Sequence, residues 1–76
     1  MTLTPTQCKM ARVGANLSRA KLAELSGVSI ATLSDFEAGR RESYDRTVRD
    51  IQAALEKQGA TFLAPNEDGP GVRINE

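Results

Sequence analysis

The side chains here best equipped for chemistry are ten lysines and arginines, and what they can do is grip phosphate. Ten carboxylates balance them to a formal net charge of zero, but the balance is uneven along the chain. Residues 1–49 carry Lys9, Arg12, Arg19, Lys21, Arg40, Arg41, Arg46 and Arg49 against five acids, a surplus of +3. Residues 50–76 carry Lys57 and Arg73 against Asp50, Glu56, Glu67, Asp68 and Glu76, which gives −3. A basic segment followed by an acidic one is the form that a nucleic-acid face backed by an acidic face would take.

Other chemistries are poorly supplied. There is no histidine, so the commonest general base and metal ligand near neutral pH is missing. Cys8 is the single cysteine; it can form no internal disulfide and reads as a small core residue. The carboxylates are scattered among basic residues. No catalytic residue, metal ligand or cofactor is expected, and the chain does not read as an enzyme. Apolar runs are only a few residues long, too short for a membrane span. Met1-Thr2-Leu3-Thr4-Pro5 has no charged or apolar leader character, so a cytoplasmic protein is expected.

The elements that must position the basic residues are mostly helical. Thr4-Pro5-Thr6-Gln7 has the capping threonine, the first-turn proline and the glutamine of a capping box. Helix 1 then runs to about Val13, with Cys8 and Ala11 facing inward and Met10 as a further candidate, and Gly14-Ala15-Asn16 breaks it. Ser18 caps a second helix that buries Leu22 and Ala23, with Leu25 a further candidate, and Gly27 ends it. Ser29 caps a third, carrying Leu33, Phe36 and Glu37, and Gly39 stops it. Asp45 caps a fourth, with Val48, Ile51, Ala54 and Leu55 at helical spacing before Gly59. Residues 60–64 and 72–74 read as short strands around a turn-rich stretch from Pro65 to Gly71.

Four features between Arg19 and Phe36 meet the demands of two helices joined by a very short turn. Ala23 is small where the helices cross. Gly27 suits the positive φ of the turn. Leu33 and Phe36 can be buried three residues apart, while Ser29, Ala31, Thr32 and Asp35 lie on the outer face.

The run Leu17-Ser18-Arg19-Ala20-Lys21-Leu22-Ala23-Glu24-Leu25-Ser26-Gly27-Val28-Ser29, continuing to Arg40, resembles the Cro/repressor-type (XRE) helix-turn-helix regulators. The likeness extends over roughly residues 4–58. It implies a mainly α fold: a four-helix, lambda-repressor-like helix-turn-helix domain over 1–59, with a short C-terminal β-strand or hairpin segment over 60–76. It also implies a sequence-specific transcriptional regulator of double-stranded DNA, most simply a repressor, because the chain shows no ligand-binding or effector domain. Carried over residue by residue, the likeness makes 29–38 the recognition helix in the major groove. Ser29, Ile30 and Ala31 then face base edges, with Asp35 one turn on, placed to accept from a cytosine or else to pair with Arg40. Arg19 meets a phosphate or neighbouring base, and Thr32, Arg40 and Arg41 meet phosphate. Glu37 is expected to tie down a loop or a helix terminus.

One departure matters. Many family members continue with a fifth helix, whereas this chain turns to strand-like residues at 60. A homodimer reading a palindrome, its recognition helices about 34 Å apart, is expected to form through that segment. Phe62, Leu63, Val72 and Ile74 are available for burial there. The alternative is an antitoxin-like regulator whose C-terminal segment binds a protein partner while the helix-turn-helix binds its own operon.

Overall fold

In the computed structural model, which describes residues 3–40, 45–66 and 69–74, four helices precede an antiparallel hairpin. The elements are α1 (Pro5–Gly14), α2 (Arg19–Ser26), α3 (Ile30–Glu37), α4 (Asp45–Lys57), β1 (Ala60–Asn66) and β2 (Gly69–Ile74). None of the helices described is long and apolar enough to cross a membrane.

The local starts and stops follow the capping residues. Thr4 accepts a hydrogen bond from the Gln7 amide and Gln7 Oε1 accepts from the Thr4 amide, completing the capping box. Ser18 and Ser29 cap α2 and α3 in the same way through the amides of Lys21 and Thr32. The three ends at α1, α2 and α3 share one backbone device. A left-handed residue (Asn16, Gly27 or Gly39) bonds back three positions, and the residue after it bonds back five. At α1 that residue is Asn16 at φ 62, so the chain turns at the asparagine while Gly14 stays helical. Asp45 stands inside the first turn of α4, one place later than the capping position expected.

Each helix contributes an apolar stripe to one core: Cys8 and Ala11, Leu22 and Ala23, Leu33 and Phe36, then Val48, Ile51, Ala54 and Leu55. Leu3 and Ala60 close its ends. Met10 and Leu25, expected as further inward candidates, are instead about 40% exposed. Met10 falls on the far side of α1 from the Cys8–Ala11 stripe. Leu25 lies roughly a third of a turn from the centre of the Leu22–Ala23 stripe, at its outer margin.

The strands are longer than the sequence suggested, leaving only two residues between Asn66 and Gly69. Pairing runs from Ala60↔Ile74 to Leu63↔Gly71 and resumes at Asn66↔Gly69, so β1 carries one extra residue there. That bulge coincides with Pro65, which has no N–H to give a ladder.

The hairpin packs on α1. Gly14 makes room for it, since a Cβ there would stand 2.7 Å from Ile74 Cγ1. Gln7, fully buried, donates from Nε2 to the carbonyls of Leu63 (3.1 Å) and Gly71 (2.9 Å), which face each other across the sheet. Phe62, Val72 and Ile74 therefore lie against their own core, and Leu63 is the one apolar hairpin residue left well exposed among those described.

Replacing Gln7 with Met keeps the volume and removes both donors and the reciprocal cap. The expected loss is about 1–3 kcal/mol in urea unfolding, because two partly buried carbonyls lose this donor. Hydrogen exchange in the variant should accelerate first in the hairpin; uniform acceleration through α2 and α3 would contradict the placement of Gln7.

Candidate nucleic-acid interface

The α2–turn–α3 unit is built from short-range rules. Gly27 sits at φ 71, in the left-handed region that other residues enter at a cost. Its amide donates to Glu24 O, and that of Val28 to Ala23 O. Val28 then packs on the core edge and Ser29 starts the next helix at once. The turn is thus three residues long, and α3 leaves the body at a fixed angle.

Burial along α3 separates two faces. Leu33, Phe36 and Glu37 are buried, whereas Ser29, Ile30, Ala31, Ala38 and Arg40 are exposed and Thr32, Ser34 and Asp35 half-buried. Ile30 is 52% exposed, an apolar group on the outer side of the first turn of α3. Ser29 Oγ and Thr32 Oγ1 lie 2.8 Å apart. The pair shares one hydroxyl proton between its oxygens and has a second to donate outward.

Beneath this face lies a buried carboxylate. Glu37 Oε2 accepts from Arg12 Nε (2.9 Å) and Oε1 from Arg12 Nη2 (3.2 Å), a bidentate pair. Oε1 also accepts from Arg19 Nε at 3.2 Å. Arg12 Nη1 reaches on to the carbonyl of Leu17 (3.1 Å). One acid therefore joins α1, the α1–α2 connection, the start of α2 and the end of α3. Among the described residues no buried polar side-chain atom lacks a partner.

Of the residues expected at the interface, the structure brings Ser29, Ile30, Ala31 and Thr32 together on the first turn of α3 and its cap. Asp35 is one turn on, where its carboxylate stands 3.8 Å from Arg40 Nη1. Arg40, its side chain 75% exposed, has its backbone fixed by the bond from its amide to Asp35 O. Arg19 is at the first position of α2, paired with Glu37. Arg41 lies outside the described residues. Glu37 ties a connection, as expected, but through Arg12, whose part the sequence reading missed. The available signal was an acid in register with Leu33 and Phe36, since an inward carboxylate demands a cation.

Cys8 Sγ donates to Glu37 Oε2 at 3.5 Å. Burial pushes its thiol up to about 12; the charge of Glu37 and the hydrogen bond to it push the same way, and Arg12 opposes them. Among the described residues no group of three or more His, Cys, Asp or Glu side chains could hold a metal ion.

A family model described as helix-turn-helix matches residues 9–60, which spans α2, α3 and α4 and most of α1. No curated protein matches the chain.

The thiol carries a prediction. Cys8 should resist iodoacetamide at pH 8 in the native state and react fully in denaturant. Because the unfolded chain releases this proton near pH 9 and the folded one holds it to about 12, the thiol's contribution to stability should fall as pH rises above 9. Rapid native labelling at pH 8 would contradict both statements.

Proposed function

The chain belongs to the XRE-type helix-turn-helix family of DNA-binding transcriptional regulators, and from that premise we propose that it is a sequence-specific repressor that binds a palindromic operator as a dimer. The reading rests above all on the first turn of α3, which exposes Ile30 and Ala31 over a base locked by Leu33, Phe36 and Glu37. A short helix held rigidly with small and apolar groups outward suits the major groove, where such groups meet thymine methyls.

In this reading the roles divide by chemistry. Ile30 and Ala31 read bases by apolar contact. Ser29 and Thr32 offer their remaining hydroxyl proton to a phosphate or base acceptor. Arg19, Arg40 and Arg41 grip phosphates, which fixes register without reading sequence. Asp35 either accepts from a cytosine amine or restrains Arg40, the role that the 3.8 Å approach favours.

Dimerisation is supported by affinity arithmetic. One domain with few phosphate contacts binds weakly and reads only a few base pairs, whereas two linked copies combine their binding free energies. A two-stranded sheet has edges with unpaired backbone groups, and beside them Leu63 is 41% exposed. The hairpin is the surface proposed for the second copy.

Selection from random-sequence duplexes, followed by gel shift, tests the proposal. A palindromic site bound by two copies is expected, and failure to enrich or shift any duplex at low salt would remove it. Arg40→Ala should weaken binding to all sequences alike and lower the salt slope by about 1. Replacing Ile30 should change the preferred bases by about 1–3 kcal/mol per lost contact; an unaltered selected site would exclude Ile30 from base reading.

A further inference from the structure

Arg12 and Arg19 both meet Glu37, but they do so differently. Arg12 engages all three of its guanidinium nitrogens, with two on Glu37 and one on Leu17 O, and its side chain is only 14% exposed. Arg19 gives Glu37 its Nε alone, and its side chain is 49% exposed. Among the described residues nothing accepts a hydrogen bond from either terminal nitrogen of Arg19.

The fully buried carboxylate is already neutralised by a bidentate guanidinium, so a second, half-exposed partner adds little to folding. What the contact does to Arg19 is more consequential. An unrestrained arginine loses rotamer freedom when it docks on a phosphate, and that loss subtracts from affinity. A guanidinium held at Nε has lost part of this freedom in advance. Its opposite edge, the two terminal nitrogens, is the planar fork that matches a phosphate.

We propose that Glu37 is a positioning residue for DNA binding: acting through Arg19, it presents the guanidinium fork at the start of α2 to one backbone phosphate. The inference rests on the reading of α2–α3 as the DNA-binding unit. It reverses a simple electrostatic expectation. Removing a negative charge near the duplex should tighten binding if charge alone matters, whereas removing a device that orients Arg19 should weaken it.

Anisotropy titrations of the full chain, with the selected duplex and with a scrambled one, can decide. Arg19→Lys keeps the charge but lacks the fork that bridges Glu37 and phosphate together. It should lose nearly as much affinity as Arg19→Ala, roughly 10–150-fold on both duplexes, the scale of one charge-assisted hydrogen bond. Glu37→Met should weaken binding by a similar factor when Arg19 is present and add little in an Arg19→Ala background. Retention of wild-type affinity by Arg19→Lys would overturn the proposal, as would tighter or unchanged binding by folded Glu37→Met. Should circular dichroism show Glu37→Met unfolded, the lysine variant decides alone. Wild-type protein that shifts neither duplex would instead sink the DNA reading itself.

Discussion

The arrangement of the first three helices depends on one carboxylate with no access to water. Glu37 is 3% exposed and faces Arg12 from α1 and Arg19 from α2. A buried charge without its partner costs several kcal/mol, so this acid tolerates few relative placements of the helices that supply its donors. Such a pair adds little net stability over an apolar substitute. What it contributes is a directional tie, because the bidentate guanidinium of Arg12 joins the end of α3 to α1. The same acid also holds Arg19 at the start of α2.

The hairpin is fixed by the same logic at the other side of α1. Gln7 caps its own helix with Oε1 and uses Nε2 to satisfy two strand carbonyls. A two-stranded ribbon is marginal in water, and here a helix, an apolar face and two partly buried hydrogen bonds hold it. The C-terminal segment is therefore continuous with the helical core, through Phe62, Val72 and Ile74.

What the sequence disclosed and what it hid divide by distance along the chain. The capping box at Thr4, the serine caps at 18 and 29, and the glycine stops at 27 and 39 involve residues three to five apart, and each appeared where expected. The core stripes of α2, α3 and α4 were legible for the same reason, since helical period alone sorts them. The contacts missed join Gln7 to residues 63 and 71, and Arg12 to Glu37. Nothing local prescribes those partners; they follow once α1 has been laid across both α3 and the hairpin. Met10 and Leu25 show the converse, because an apolar residue is free to be exposed when its angular position lies off the stripe. At the candidate site, Ala31 was placed on the outer face of its helix by the helix-turn-helix pattern and Ile30 by the family resemblance, whereas the grip of Glu37 on Arg19 was not legible in the sequence.

A neutral chain that binds a polyanion must rely on placement more than on charge. Few arginines are available, and the two best described on this face, Arg19 and Arg40, both stand beside carboxylates. The most direct check is an amide NMR titration of the labelled chain with its selected duplex. Shifts and slowed exchange should concentrate on residues 29–35 and at the start of α2, with the Leu33 and Phe36 amides still in their native environment. Perturbation confined to α4 or the hairpin, with the first turn of α3 untouched, would contradict the account.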